Sequence, residues 1–175
     1  GVGLVQKRLT WCTTSAKAYN EHISGIAYNA DNNGSTNLSQ IATALGTNND
    51  TGLGTSTKSA EEAADLYPAY YFGINYKDQS RSHNDDMYYS NVAGTAFETG
   101  WYLPAYWELE ILVHRTPALT AQINTIMELI HGMPFTKNFV DGEQYGWWTS
   151  SMHNEGDYKT NAMYLVYNGD SVIGS

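Results

Sequence analysis

The chain of 175 residues has the length of one domain, spanning residues 1–175, that can bury a substantial core. Its formal charge is −9 and its nine Lys and Arg residues are scattered, so nucleic acid and anionic membrane surfaces are disfavoured as partners. No apolar run approaches the length of a transmembrane segment, and the single cysteine, Cys12, excludes an intrachain disulfide framework.

The first third of the chain alternates short apolar segments with polar loops. Val2–Thr10 is short and bounded by turn residues, which predicts a first strand. Apolar residues at helical spacing between Leu38 and Leu45 predict a short helix, with Asn37 as its N-cap and Gly46 just past its end.

Three stretches of different character follow. Ser59–Glu62 fits a capping box that opens a short helix, and this helix has to stop near Tyr67-Pro68 because the residue before a proline disfavours helical backbone. The aromatic segment Ala69–Tyr76 is compatible with a strand or with packed coil. Asp78–Ser90 is polar and rich in turn residues, which predicts a surface excursion.

The stretch Gly100–Leu112, GWYLPAYWELEIL, is predicted to join a short aromatic strand to an amphipathic helix. Pro104 cannot donate a ladder hydrogen bond, so a position leading into a helix over Ala105–His114 suits it. Thr116-Pro117 then starts a second helix, which ends at Gly132 and presents five apolar residues on one face. Those residues are Leu119, Ile123, Ile126, Met127 and Ile130.

The last part of the chain carries strand signals. Tyr145–Ser151 and Ala162–Tyr167 are predicted strands, and Asn168-Gly169 is the strongest hairpin-turn signal in the chain. Between the two strands lies Met152–Thr160, an exposed polar loop. We expect one shared core, built from Trp101, Leu103, Leu109, Leu112, Ile123, Met127, Trp148 and Leu165.

An ordered series of motifs covers roughly the last half of the chain. It consists of Gly100–Pro104, Glu108-Leu109, Ile123-Asn124, Trp148–Ser151 and Ala162–Gly169. The series resembles the formylglycine-generating-enzyme-like branch of the C-type lectin fold, which includes the variable proteins of diversity-generating retroelements and related bacterial surface proteins. The resemblance implies an α+β fold of C-type lectin type, with two main helices and short antiparallel sheets.

The chain departs from the resembled pattern at two places. Met163 stands where the family usually has a tryptophan, a tolerable change in a core. The resembled proteins also run on through another strand rich in Val and Arg, so the resemblance implies that a closing C-terminal strand is missing after Ser175.

The residues do not form a catalytic constellation. The activity of true formylglycine-generating enzymes depends on a cysteine pair late in the domain, and Cys12 matches neither position. No histidine lies at a known catalytic spacing from Ser150-Ser151, so neither serine has an evident general base. Glu108 and Glu110 lie on different faces of one helix, which makes them a poor acid–base pair. We therefore expect no enzymatic activity and no cofactor.

Metal binding stays open at this point. The triplets of calcium-dependent sugar binding in C-type lectins, Glu-Pro-Asn or Gln-Pro-Asp and Trp-Asn-Asp, are absent from the sequence. Two acidic clusters, Asn84–Asp86 and Asn154–Asp157, could supply oxygen ligands to a hard cation, and solvated loop tips explain them as well.

The resemblance also implies a binding face. In the retroelement variable proteins, diversified contact residues follow the W-[ST]-S strand and the Asn-Gly turn, which correspond here to Met152–Thr160 and Asp170-Ser171. We predict one ligand-contacting surface with Trp147 or Trp107 as its floor. Trp107 could instead pack against the aromatic segment Ala69–Tyr76. The contact residues of the predicted surface are His153, Asn154, Asp157, Tyr158 and Asp170. An ordinary polar hairpin loop explains the first segment equally well.

The expected function is that of a non-enzymatic extracellular ligand-binding module. In its most specific form the module is a diversified receptor. The expected partner is a protein or another extracellular ligand. Two alternatives stay open: a structural or adhesive bacterial surface domain without a defined pocket, and a formylglycine-generating-type enzyme. We expect an extracellular or cell-surface location, secreted or lipid-anchored. The start of the sequence at Gly1 is compatible with a leader or lipid anchor that has been removed.

Overall fold

The structure is a computed structural model and describes residues 2–16, 19, 22–23, 25–27, 33–47, 64–83, 86–135, 139–140, 143–144, 146–153, 156, 162–166 and 171–173. Helices and short strands are interleaved, and the paired strands are antiparallel. The chain is therefore an α+β protein, as the sequence predicts. In chain order its elements are α1 (Gly34–Thr47), α2 (Pro68–Ile74), a 3₁₀ turn (Tyr76–Asp78), β1 (Ser80–His83), β2 (Asp86–Tyr89), α3 (Tyr106–Glu110), a π-helix (Ile111–Arg115), α4 (Pro117–Leu129), β3 (Phe139–Val140), β4 (Glu143–Gln144), β5 (Gly146–Met152), β6 (Ala162–Val166) and β7 (Ser171–Ile173).

Among the described residues, the largest sheet has three strands in the order β5–β6–β7. Trp148 of β5 lies opposite Tyr164 of β6, and Leu165 lies opposite Ser171 of β7. The strands predicted over 145–151 and 162–167 are confirmed to within one residue at each end. The chain reverses between β6 and β7, as Asn168-Gly169 predicts, although that dipeptide lies outside the described residues.

The N-terminal segment is not a strand, contrary to the prediction for Val2–Thr10. Its polar groups bond to side chains and loops rather than to a strand ladder. The Val5 amide donates to the Tyr76 hydroxyl at 2.7 Å, and the Leu4 carbonyl accepts from the Met133 amide at 2.8 Å. The apolar pattern of this segment does not reveal these partners, because they lie more than 70 residues away in the sequence.

Helix α1 begins earlier and ends later than predicted. The Thr36 amide donates to the Asn33 side chain at 3.0 Å, so Asn33 rather than Asn37 caps the helix. Asn37 lies inside the helix and is 1 % exposed, and Gly46 lies inside the helix rather than past its end. Asparagine is suited both to an N-cap position and to a buried, hydrogen-bonded position inside a helix. The residue type alone therefore does not distinguish Asn33 from Asn37 as the N-cap.

The region around Pro68 contains two helical segments. Residues 64–66 are helical and the segment stops before Tyr67, as the proline predicts, while the capping box at Ser59–Glu62 lies outside the described residues. Ala69–Tyr76 is neither strand nor coil, because Pro68 occupies the first position of α2, where its missing N–H has no helical partner to lose.

The polar segment over 78–90 contains the β1–β2 hairpin, with Ser80 opposite Tyr89. Met87 and Tyr89 are 49 % and 53 % exposed, so the hairpin lies at the surface as predicted. The sequence prediction missed its strands because turn-forming residues dominate the composition there.

The helix predicted over 105–114 is divided into α3 and the π-helix. The Thr116 hydroxyl donates to the Ile111 carbonyl at 2.8 Å, and the Thr120 hydroxyl donates to the Leu112 carbonyl. Two threonine hydroxyls at the start of α4 thus donate hydrogen bonds to carbonyl groups of the π-helix. Helix α4 starts at the predicted Thr116-Pro117 and stops at Leu129, just ahead of the predicted Gly132.

The core is divided into two clusters, which corrects the expectation of one. Leu103 and Trp148 pack against the first cluster, whereas Leu109, Leu112, Ile123 and Leu165 belong to the second or pack against it. Successive side chains of a strand point to opposite faces, so β5 and β6 contribute to both clusters. Trp101 lies outside both and stacks on Tyr76, with ring centroids 4.3 Å apart.

Helix α4 buries less of its apolar face than predicted. Met127 is 4 % exposed and Ile123 is half-buried. Leu119, Ile126 and Ile130 are 45 %, 54 % and 48 % exposed, so three of the five predicted contacts are at the surface.

Candidate functional site

Strand β5 is the element from which the predicted contact residues depart. The Trp148 indole donates to the Leu9 carbonyl at 2.6 Å, and the Trp11 indole donates to the Thr149 carbonyl at 3.3 Å. The Thr149 hydroxyl donates to the Met163 carbonyl at 2.9 Å. These bonds fasten the N-terminal segment and β6 to β5.

The two serines of β5 hold the segment that leads into α3. The Ser150 amide donates to the Pro104 carbonyl at 2.8 Å, and the Ser151 hydroxyl accepts from the Tyr106 amide at 2.9 Å. The Ser150 hydroxyl accepts from the Asn37 amide group at 3.0 Å. Ser150 and Ser151 are 1 % and 0 % exposed, so neither hydroxyl lies at the surface of the domain.

Glu108 joins the starts of two helices. Its Oε2 accepts from the Ala105 amide at 2.8 Å and from the Gly34 amide at 2.9 Å, and Oε1 lies 3.4 Å from the Tyr102 hydroxyl. Gly34 permits this approach, since a Cβ there would lie 2.4 Å from the Leu103 carbonyl oxygen. A carboxylate at helix N-termini is favourable for the helix dipole, so Glu108 has a structural role.

Trp107 belongs to a charged cluster at the π-helix. Arg115 lies over the Trp107 ring, with its guanidinium carbon 5.2 Å from the centroid, and its Nε lies 3.6 Å from Glu110 Oε1. Glu110 Oε2 is 2.6 Å from His114 Nδ1. The two carboxylates named in the sequence, Glu108 and Glu110, therefore serve different partners.

Trp147 lies at the opposite end of β5 from the predicted contact loop. Its indole donates to Gln6 Oε1 at 2.9 Å, and its ring meets Phe135 edge-to-face with centroids 5.2 Å apart. Trp147 and Trp107 are half-buried and pack against the same core cluster, the second one. The structure thus brings the two proposed floor residues to one cluster.

His153 follows the other end of β5 and is half-buried. It lies six positions beyond Trp147, which corresponds to roughly 20 Å along an extended strand. The structure therefore does not bring Trp147 and His153 together. The other predicted contact residues, Asn154, Asp157, Tyr158 and Asp170, lie outside the described residues.

The end of β5 at Met152 is held by contacts with residues 23, 26 and 27 in the N-terminal part of the chain. Its amide donates to the Ile26 carbonyl at 2.8 Å, and Ala27 forms a parallel bridge with it. The Ile23 amide donates to the Met152 sulfur at 3.4 Å, and the side chain is 2 % exposed. His153 thus leaves from a backbone that is held in place.

Electrostatic perturbations near these residues involve tyrosines. Burial raises the pKa of Tyr70 to about 12. Burial and the neighbouring Glu108 carboxylate raise the pKa of Tyr102. Within the described residues, no group of three or more His, Cys, Asp or Glu side chains is arranged to hold a metal ion. Asn154, Glu155 and Asp157 of one acidic cluster and residues 84–85 of the other lie outside that part of the chain.

Sequence reasoning missed the roles of Asn37 and Glu108. For Glu108 half of a signal exists. A glutamate at the third position of a helix can accept from the amide of the N-cap residue, as in a capping box, but Ala105 has no side-chain acceptor to complete the motif. For Asn37 there is none, because its partner Ser150 lies 113 positions away.

Comparison with known proteins leaves the chain without an assigned family. It matches no protein-family model, no curated protein and no solved structure. Of the helices in the described ranges, none is both long and apolar enough to cross a membrane.

Proposed function

We propose that this protein is a non-enzymatic extracellular ligand-binding module of C-type lectin type, and that its ligand contacts the residues that follow β5 and the β6–β7 turn. Two features support the proposal: the motif resemblance in the last half of the chain, and the hydrogen bonds that fix β5 to its neighbours. A diversified receptor, the version implied by the retroelement variable proteins, is the most specific form of the proposal.

The observation that carries the proposal is the change in environment from Met152 to His153. Met152 is buried and hydrogen-bonded, and His153, the next residue, is half-buried and therefore partly accessible. A loop that leaves a fixed strand can vary its side chains without a large ordering cost on binding. This is the arrangement that a variable binding surface needs.

The use of the polar groups in β5 and α3 supports a non-enzymatic role. The Ser150 and Ser151 hydroxyls and the Glu108 carboxylate are engaged in hydrogen bonds to neighbouring segments. A nucleophile or general base needs access to a substrate. These groups instead connect β5, α1 and α3.

Two other functions remain as alternatives. A structural or adhesive surface domain is favoured by the exposed apolar side chains on the hairpin and on α4, among them Tyr89 and Leu129 at 53 % and 75 % exposure. A formylglycine-generating-type enzyme would oxidise cysteine-containing peptides. Turnover of such a peptide that survives the Cys12→Ser substitution would reverse our proposal.

A nucleotide comparison tests the diversified form. Codons 147–175 are searched against the surrounding genome for a near-identical template copy, with codons 100–112 as a matched control window from the same gene. We expect differences from the template to concentrate at adenine positions within codons 153–160 and 170–171, with no such copy of the control window. If codons 147–175 have no template, the structural or adhesive alternative is favoured.

A further inference from the structure

Helix α4 and its C-cap residue carry an apolar stripe of which three members are exposed and one, Ile123, is half-buried at the edge of the second core cluster. Leu119, Ile123, Ile126 and Ile130 are spaced by four, three and four residues, which is the a/d spacing of helices that pack along a seam. At 100° per residue these positions fall within about 60° of one another, over a length of about 17 Å. Leu129, 75 % exposed, borders the stripe and widens it.

The stripe is almost free of charge, in contrast to the chain as a whole. The chain carries −9, yet Glu128 is the single charged side chain of α4, and it lies on the side of the helix away from the stripe. Two copies of this acidic protein repel each other over most orientations. Contact along the α4 stripe keeps Glu128, the charged side chain of this helix, out of the seam.

The stripe is also self-complementary in an antiparallel arrangement. A twofold axis midway between Asn124 and Thr125 places Leu119 opposite Ile130 of a second copy, and Ile123 opposite Ile126. An isologous interface requires this property, in which one patch pairs with itself. Antiparallel helices also place opposite dipole ends together.

We propose that the α4 stripe is a homodimer interface in which two copies of the chain pack their α4 helices antiparallel. A seam of about three turns is small for a protein interface, so the dimer is weak and concentration-dependent. The inference does not rest on the proposed ligand-binding site.

Sedimentation equilibrium of the wild-type chain is the first test. Over about 10 to 500 µM protein, we expect the mass to rise from 19.4 kDa toward twice that value. Higher salt should strengthen association, because it screens the repulsion between two chains of −9. A monomer at the highest concentration in both low and high salt overturns the proposal, as does a dimer that salt dissociates.

A matched pair of charge insertions is the second test. Ile126→Glu places two like charges in the seam and should weaken dimerisation by at least about a hundredfold, since like-charge juxtaposition costs several kcal/mol. Ala121→Glu adds the same charge to the exposed opposite side of α4 and should leave dimerisation within about twofold. Equal effects of the two substitutions on the dimer contradict the interface. Ile126 is 54 % exposed, so we expect both variants to keep the wild-type circular dichroism spectrum.

Discussion

Removing the Glu108 carboxylate tests how α1 and α3 are held together. Glu108→Ala leaves the Ala105 and Gly34 amides without the acceptor that now lies 2.8 and 2.9 Å away. A hydrogen bond to a charged group contributes about 1.5–3 kcal/mol, and Glu108 is half-buried, so we take the lower end for each bond. The expected loss is about 2–4 kcal/mol, even though alanine is the better helix former.

Urea denaturation followed by circular dichroism measures this loss. Glu108→Gln keeps an acceptor oxygen but not the charge, so it should cost about half as much as Glu108→Ala. Glu128→Ala is the matched control, because Glu128 is exposed on α4 and its removal should change the unfolding free energy by less than about 0.5 kcal/mol.

A second readout links the loss to the Glu108 carboxylate itself. Burial and then Glu108 raise the pKa of Tyr102, so this pKa should fall in Glu108→Ala when followed by NMR. If Glu108→Ala matches Glu128→Ala in stability and leaves the pKa of Tyr102 unchanged, our reading of the helix junction is incorrect.

Three further predictions concern the buried residues. Ser151→Ala should cost about 1–3 kcal/mol in urea unfolding, because it leaves the buried Tyr106 amide without its acceptor; a variant as stable as wild type would show that the bond is replaced. Leu109 is 4 % exposed, so Leu109→Ala should cost about 2–5 kcal/mol, and an unchanged urea midpoint would refute its placement in the core. The pKa of Tyr70 is about 12 in the folded protein and 10.0 in the unfolded chain, so the unfolded chain loses the phenol proton first. The free energy of unfolding should therefore be unaffected by Tyr70 below pH 10 and fall as the pH rises from about 10 to about 12. Tyr70→Phe should abolish this part of the alkaline loss, about 2–3 kcal/mol, whereas identical pH profiles for the two proteins would exclude the linkage.

Local signals predicted the elements whose determinants lie close together in the sequence. The reversal between β6 and β7 follows from the Asn-Gly dipeptide, and the start of α4 follows from Thr116-Pro117. Strands β5 and β6 were placed to within one residue because aromatic and β-branched residues are bounded by turns.

Features set by contacts between distant residues could not be predicted. Asn37 resembles a helix cap in sequence, and only its contact with Ser150 shows that it is a buried amide. The single expected core became two, because residues next to each other on β5, such as Trp147 and Trp148, point to opposite faces of the sheet. The exposure of Ile126 on α4 depends likewise on which side of the helix faces the domain.

For the candidate site, the sequence predicted residues but not their arrangement. Trp107 and Trp147 do share a core cluster, but no sequence pattern indicates the Arg115 contact that covers the Trp107 ring. The separation of Trp147 from His153 follows from β5 being one extended strand. That separation limits Trp147 to supporting the sheet rather than flooring a surface around His153.

The most direct test that a fixed strand carries a variable surface, on which the proposed binding module depends, is a saturation scan of residues 146–160 in a surface-displayed library, sorted for protease resistance. Our account predicts that positions 149–152 reject most substitutions, because their side chains are at most 2 % exposed, whereas positions 153–160 accept most of them. A scan in which positions 153–160 are as intolerant as 149–152 would contradict a variable surface carried by a fixed strand.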